Sequence, residues 1–313
     1  MTVNTPKIIV ITGPTATGKT ALGALLGKNI GGEVISADSM QIYEHMDIGT
    51  AKPTQEEMLG VPHHLYGITP PTKSYSVARY IEDAGLCINN ILDAGKTPIL
   101  VGGTGLYIES LISGRSFMIK GDSALRADLE KKYDEVGGEE MIRLLSIFDE
   151  SSAKRLYTND KRRIVRAFEV YEQTGKTITQ HDLDSKSIPP KYDAVKYALT
   201  YRDRSVLYER INGRVDIMRE SGLEDEVRAL LDMGVPSDAT AMQAIGYKEL
   251  IFAINGETTF DEAYDKIKME SRRYAKRQLS WLRRDDTVKW ITWESQPDLL
   301  NCVKEIMTNE ENR

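Results

Sequence analysis

The sequence predicts an α/β fold in which a parallel sheet carries a P-loop and is interrupted by a helical insertion domain. Three observations predict it. Residues 13–20, GPTATGKT, match GxxxxGK[ST] at every fixed position, between a β-branched apolar run at 7–12 and a helical stretch from about 19 to 29. Short apolar runs then alternate with helical spacing, the pattern of parallel strands covered by helices on both faces. Between about residues 120 and 190 the strand signal stops and charged helical segments take over.

Each element follows from its residues. KIIVIT at 7–12 ends at Gly13 and reads as a buried strand entering a loop. EVISA at 33–37 is a second strand, ending on Asp38-Ser39-Met40-Gln41. Residues 75–94 place Val77, Ile81, Ala84, Ile88 and Leu92 on one helical face. Residues 98–101 form a third strand, ending at Gly102-Gly103-Thr104-Gly105, with a helix through Leu106, Ile108 and Leu111 behind it. The charged helices beyond are punctuated by Gly137-Gly138 and by Thr174-Gly175-Lys176, and DLDSKSIPPK at 182–191 reads as a polar exit loop. AVKYALT at 194–200 returns to strand. One long amphipathic helix over about 206–233, two more helical stretches and a last strand, TVKWITW at 287–293, complete the pattern. The expected organisation is an α/β core, residues 1–119 and 191–313, around an insertion at 120–190.

With 313 residues, 41% hydrophobic and 28% charged, the chain builds its core without staples. Its two cysteines, Cys87 and Cys302, are far apart and form no CxxC pair. That excludes a disulfide framework, argues against a cysteine zinc site and fits a reducing cytoplasm. The opening MTVNTPKIIVITG lacks the regions of a signal peptide, and IIVI is too short to span a membrane. A cytoplasmic chain with no membrane partner is expected. The net charge of −6 argues mildly against nucleic acid, but phosphates respond to the local field rather than the total.

Gly13-Pro14-Thr15-Ala16-Thr17-Gly18-Lys19-Thr20 bends so that backbone N–H groups converge on phosphate oxygens, with the positive end of a helix behind them. In such a loop Lys19 holds the terminal phosphate and the Thr20 hydroxyl reaches Mg2+. The plain alternative is a glycine-rich turn that joins strand to helix. The motif specifies a di- or triphosphate without specifying ATP. No NKxD segment is present to read a guanine. Asp38, ending the second strand beside the phosphate cradle, is placed to act as a general base, and Ser39 and Gln41 offer hydrogen bonds to a base edge. Asp and Ser equally favour helix N-caps.

Cations concentrate in two places. Lys161, Arg162, Arg163 and Arg166 cluster in the insertion, with Arg162 and Arg166 on one helical face. Residues 268–284 carry Lys268, Arg272, Arg273, Lys276, Arg277, Arg283 and Arg284, with Trp281 among them. Such stripes fit a phosphate backbone, and the tryptophan either packs internally or stacks on a base. For each cluster alone the alternative is a solvated helix face with internal ion pairs. His63-His64 suggests a metal pair only superficially. Neighbours on an extended segment point opposite ways, so packing or a hydrogen bond is the expected role.

Together these segments resemble the tRNA dimethylallyltransferase family, also called tRNA isopentenyltransferases, of the bacterial type. The resemblance rests on GPTATGKT at 13–20, SADSMQIY at 36–43, MDIGTAKP at 46–53, PHHL at 62–65 and VGGTGLY at 101–107. It continues through NDKRRIVRAFEV at 159–170, TGKT at 174–177, GLEDEVRALL at 222–231, IGYKE at 245–249 and AKRQLSWLRR at 275–284. It spans nearly the whole chain. It implies transfer of a dimethylallyl group from dimethylallyl diphosphate to N6 of an adenosine next to the tRNA anticodon, with Mg2+. The P-loop would then hold diphosphate as a leaving group, together with one or both of Arg210 and Arg214, of which Arg214 is favoured. Asp38 would take the N6 proton and Thr104 would line the channel. Ser39, Met40, Gln41, Arg126, Arg162, Arg163 and Arg166 are expected to contact tRNA. So are Gln243, Gly246, Tyr247, Lys248, Lys276, Arg277, Gln278, Trp281 and Arg283. The chain is expected to act as a monomer. A small-molecule or nucleoside kinase using ATP is the runner-up, and a non-catalytic nucleotide-switched RNA-binding protein a third reading. The kinase does not explain the two basic clusters or the match after residue 200, and Asp38 and Thr104 at strand ends argue against the switch.

Overall fold

The structure, a computed structural model, describes residues 5–114, 122–186 and 188–311. The chain divides into two compact units, Met1–Ile112 with Lys191–Arg313, and Ser113–Pro190.

In the first unit, β1 (Lys7–Thr12) leads through the P-loop into α1 (Lys19–Ile30), then β2 (Glu33–Ser36) and the two-residue β3 (His63–His64). Helix α2 (Val77–Asp93), β4 (Pro98–Val101) and α3 (Gly105–Ile112) follow. The second unit holds α4 (Ser123–Phe148), α5 (Glu150–Arg155), α6 (Lys161–Thr174) and α7 (Ile178–Lys186). The chain returns to the first unit as β5 (Asp193–Tyr201), α8 (Arg204–Glu220) and α9 (Leu223–Asp232). It ends with α10 (Tyr247–Ile254), α11 (Phe260–Leu282), β6 (Val288–Trp293) and α12 (Leu299–Glu311).

The six strands form one sheet in the order β3-β2-β4-β1-β5-β6, and every pairing is parallel. This is the predicted α/β class. Central β1 is apolar from Ile8 to Ile11 because both its faces are covered. Ile8 and Val10 enter one core with residues of α2, α3, α9, α10 and α11. Ile9 and Ile11 enter the other with Leu22 and Leu26 of α1, Leu207 and Ile211 of α8, and Val303 and Ile306 of α12. From β1 the chain moves toward β2 on one side, and after β4 it reaches β5 on the other. The C-terminal end of β1 therefore lies beside a reversal of strand order, where open parallel sheets bind ligands.

The second unit has its own core of Leu129, Met141, Leu145, Ile164, Val165 and Phe168. Buried Asp149 caps α5 through the Ser152 N–H (3.0 Å) and accepts from the Thr179 hydroxyl (2.6 Å).

Two expectations are corrected. The single helix over 206–233 is two, α8 and α9, separated at Ser221 and Gly222, where φ of +90° breaks the helix. The exit loop is shorter than 182–191, because α7 runs to Lys186. His63-His64 is a short edge strand, and α12 was not foreseen. The histidines do bond separately. His63 Nδ1 lies 2.8 Å from Val61 O, and His64 Nε2 lies 2.7 Å from Glu33 Oε2.

Candidate active site

The P-loop leaves β1 at Gly13 and enters α1 at Lys19. It is tied from within, the Thr17 hydroxyl donating to Pro14 O (2.8 Å) and Lys19 Nζ to the same carbonyl (2.7 Å). It is also braced by distant elements. Trp293 at the end of β6 donates its indole N–H to Thr17 O (3.0 Å), and Arg210 on α8 donates Nε–H to Ala16 O (3.2 Å). Gln278 on α11 accepts from Thr15 N (3.2 Å) and donates to Gly103 O (2.9 Å), so one amide spans the loops after β1 and β4.

The loops after β2 and β4 are stitched together. Ala37 N donates to Val101 O (2.7 Å), and Thr104 N donates to Ala37 O (3.0 Å). Gly102 lies so close to this crossing that a Cβ would sit 2.2 Å from Ala37 O, which is why the VGGTG segment needs glycine there. The Thr104 hydroxyl accepts from Ser39 N (3.0 Å) and lies 3.4 Å from Ser39 Oγ. Asp38 Oδ1 accepts from Met40 N (2.9 Å) and weakly from Gln41 N (3.4 Å). No helix follows Asp38, so the helix N-cap weighed for it is absent; Oδ1 orders a turn instead. Oδ2 accepts no hydrogen bond from any described residue.

These pieces enclose a cavity of about 340 Å³. The P-loop contributes Thr15, Lys19 and Thr20, and the β2 turn contributes Asp38, Ser39, Met40 and Gln41. Helix α8 presents Ile211, Arg214, Val215 and Met218 to it, and α11 presents Ile267, Ser271, Tyr274 and Gln278, each set at helical spacing. The two helices are joined by Lys268–Asp216 (2.6 Å) and Arg272–Asn212 (2.5 Å). Burial lowers the Lys19 pKa to about 7; Arg214 adds to the shift and Asp38 opposes it. Burial also lowers the Arg214 pKa, against Asp38 and Glu57. Tyr274 is pushed up to about 12, by burial first and then by Asp38. The cavity thus sets two desolvated cations beside a carboxylate, which suits a polyanion and a proton acceptor together.

Arg214 lines the cavity and donates to the Thr15 hydroxyl (3.3 Å), whereas Arg210 braces the loop from outside the lining. Gln243 and Arg277 also line the cavity. The other expected RNA contacts differ in exposure. Tyr247 is fully buried and donates its hydroxyl to Glu226 (2.5 Å), and neighbouring Gly246 is also buried, so both serve the fold. Gln278 is 7% exposed with both ends of its amide engaged. Trp281 lies half-buried, and its ring is packed so closely on Gly105 that a Cβ there would meet it at 2.5 Å. Lys248, Lys276 and Arg283 are exposed.

The second unit shows a similar division. Arg162 is exposed and has no partner among the described residues. Arg163 pairs with Asp160 (3.4 Å), Lys161 with Asp134 (2.5 Å) and Arg126 with Glu130 (3.2 Å). Arg166 pairs at 2.8 Å with Glu169, whose side chain is wholly buried. Reasoning from the residues missed Tyr274 and Tyr66 in the cavity lining. Tyr274 carried a signal, standing four residues before Gln278 on one face of α11.

A P-loop beside the strand-order reversal of a parallel sheet, with a carboxylate at the next strand's end, defines a P-loop α/β protein built to hold a phosphate-bearing ligand. Comparison with known proteins narrows the class. The profile of the IPP transferase family matches residues 41–285, and that of isopentenyl transferase matches residues 6–66. The chain is 48% identical over 305 residues to a tRNA dimethylallyltransferase of Carboxydothermus hydrogenoformans, covering 97% of each. It is 42% identical over 297 residues to that of Geobacter sulfurreducens, covering 95% of each. Among solved structures it is similar to the full-length tRNA isopentenylpyrophosphate transferase from Bacillus halodurans, at 41% identity and a TM-score of 0.73, covering 98% of this chain and 97% of that one. It also resembles a eukaryotic dimethylallyltransferase acting on tRNA, at 26% identity and a TM-score of 0.82, covering 97% of this chain and 80% of that one. The chain belongs to the IPP transferase family.

Proposed function

We propose that the protein transfers a dimethylallyl group from dimethylallyl diphosphate to N6 of the adenosine 3′ of the anticodon, in tRNAs reading codons that begin with U. The observation that carries this reading is the single cavity shared by Lys19 of the P-loop, Arg214 of α8 and the Asp38 carboxylate. In the reaction N6 attacks C1 of the prenyl group, the C1–O bond breaks, and diphosphate leaves onto the P-loop. Lys19 and Arg214 stabilise the charge gathering on the leaving oxygen. Asp38 Oδ2, the carboxylate oxygen not engaged in the turn, takes the N6 proton. A base stacked in a loop cannot reach this cavity, so the adenosine enters flipped out.

Mg2+ fits the donor set. Among the described residues no group of three or more His, Cys, Asp or Glu forms a metal cage. The Thr20 hydroxyl lines the cavity and has no hydrogen-bond partner among them. Mg2+ commonly takes most of its ligands from substrate phosphates and water, and Thr20 would supply the protein ligand. When bound, the ion would add positive charge beside the leaving diphosphate.

No described helix is long and apolar enough to cross a membrane. The tRNA substrate and the free thiols of Cys87 and Cys302 support a cytoplasmic location. The kinase reading explains the P-loop but not the family membership.

The test is incubation with tRNA, Mg2+ and either dimethylallyl diphosphate or ATP. Prenylated adenosine and free diphosphate with the first, and no tRNA-dependent ATP consumption with the second, are expected. ATP hydrolysis without prenyl adenosine would overturn the reading in favour of a kinase or NTPase.

A further inference from the structure

Three segments singled out in the sequence have no part in the chemistry above: MDIGTAKP at 46–53, GLEDEVRALL at 222–231 and IGYKE at 245–249. In the fold they meet on one carboxylate. Glu226, in the first turn of α9, accepts backbone N–H bonds from Asp47 (2.8 Å), Ile48 (2.7 Å) and Gly49 (3.1 Å). It also accepts the Tyr247 hydroxyl (2.5 Å). The Tyr247 ring lies against Gly49, where a Cβ would meet it at 2.5 Å. Acidic residues in a first helical turn commonly do no more than complement the helix dipole. Glu226 instead closes a ring of N–H donors on a segment about 180 residues away in sequence, a separation the bonds themselves record.

What it holds lies at the cavity. Gly49 and Thr50 line one part, and Gln243 to Ile245, the segment leading into Tyr247, line another. The 47–51 loop is also tied to the proton acceptor. Gln41 Nε2 donates to Thr50 O (3.1 Å) and Ala51 O (3.0 Å), and Gln41 belongs to the turn that Asp38 caps. The donor's diphosphate end is fixed elsewhere, by the P-loop and Arg214. We propose that Glu226 is a positioning residue that sets the acceptor side of the cavity, holding the 49–50 and 243–245 walls in register around the nucleobase that presents its amine to Asp38. This rests on the prenyl-transfer reading and adds to it a residue that touches neither substrate.

The test uses Glu226→Gln, which keeps the shape but turns an NH2 toward donors, and Tyr247→Phe, which keeps the ring against Gly49 and removes one bond. Steady-state prenyl transfer, donor affinity and thermal midpoint are measured for both. A loosened wall misplaces the acceptor, so KM for tRNA should rise by about 10- to 100-fold in Glu226→Gln and by a smaller factor in Tyr247→Phe. Affinity for dimethylallyl diphosphate should stay within about twofold in both, because that end is held separately. A lowered midpoint with unchanged KM for tRNA would overturn the proposal and leave Glu226 a fold-stabilising residue. If Glu226→Gln does not fold, an unchanged KM in Tyr247→Phe overturns it equally, and a raised KM with intact donor affinity supports it. Absence of prenyl transfer by the wild-type protein would instead strike the underlying reading.

Discussion

Asp38 divides its two carboxylate oxygens, one ordering the turn through Met40 N and Gln41 N, the other accepting no hydrogen bond from any described residue. Asp38→Asn separates the two tasks, because an amide oxygen still accepts the Met40 N–H but no longer takes a proton. Loss of general-base assistance should lower kcat by about 10²- to 10⁴-fold, with tRNA affinity little changed. Turnover near wild type, measured at saturating donor and tRNA, would leave Asp38 only its role in ordering the turn. Lys19 makes a second residue-level prediction. Burial holds its pKa near 7 in the free protein. A bound diphosphate gives the ammonium a partner and raises that value, so above pH 7 donor binding takes up a proton. Affinity is then full below about 7 and weakens as pH rises through and beyond it, approaching about tenfold per pH unit until the bound-state value is reached. Calorimetry of donor binding between pH 6 and 9 in buffers of different ionisation enthalpy reads that proton directly; pH-independent affinity with no proton uptake would refute it.

At the scale of elements, legibility followed the locality of the cause. The P-loop was readable because glycine, lysine and threonine are each demanded at a fixed place by one ligand. Strands β1 and β4 were readable to the residue because apolar β-branched runs between turn signals have few other uses. Strand β3 was not, since its two residues are strand only by pairing with Val34 and Ile35, a long-range fact. The α8–α9 break was missed because a lone glycine in an amphipathic pattern is a weak signal, worth about 1 kcal/mol against alanine. Helix α12 was legible and overlooked, for Leu299, Cys302, Val303 and Ile306 stand at helical spacing. Within the site, Lys19, Thr20, Asp38 and Arg214 were foreseen together, and the cavity does gather them, whereas Thr104, expected in the channel, is not in its lining. The buried partners of Tyr247 and Gln278 were not foreseen, because nothing local says whether a polar side chain on a helix turns outward or finds a buried partner. Their partners, Glu226 for one and Thr15 and Gly103 for the other, are remote in sequence.

Across the whole molecule, the cations thought to form an RNA surface fall into two kinds. Lys268, Arg272 and Arg273 are engaged by Asp216, Asn212 and Glu270, and Lys161, Arg163 and Arg166 by Asp134, Asp160 and Glu169. Lys276 and Arg283 at the end of α11, and Arg162 on α6, are exposed and have no acidic partner among the described residues. A paired cation has already given up much of its field to its partner, so the unpaired ones should carry the binding to phosphate. Arg166 is a poor probe in any case, because removing it would leave buried Glu169 without its counter-ion and destabilise the insertion. The comparison is between Lys276→Ala with Arg283→Ala, Arg162→Ala alone, and Lys161→Ala with Arg163→Ala as the paired control. Each cation withdrawn from a phosphate should flatten the fall of log affinity with log salt by about 0.7 for single strands. The α11 pair should therefore reduce the slope for tRNA by roughly one to two units and Arg162→Ala by roughly one, with weaker binding in both. The paired control should stay close to wild type. Affinity for dimethylallyl diphosphate should hold in all of them, since none of these residues lines the cavity. Equal slopes in every protein would make these cations solvated helix faces, and tRNA would then have to be gripped through hydrogen bonds and shape rather than through phosphate charge.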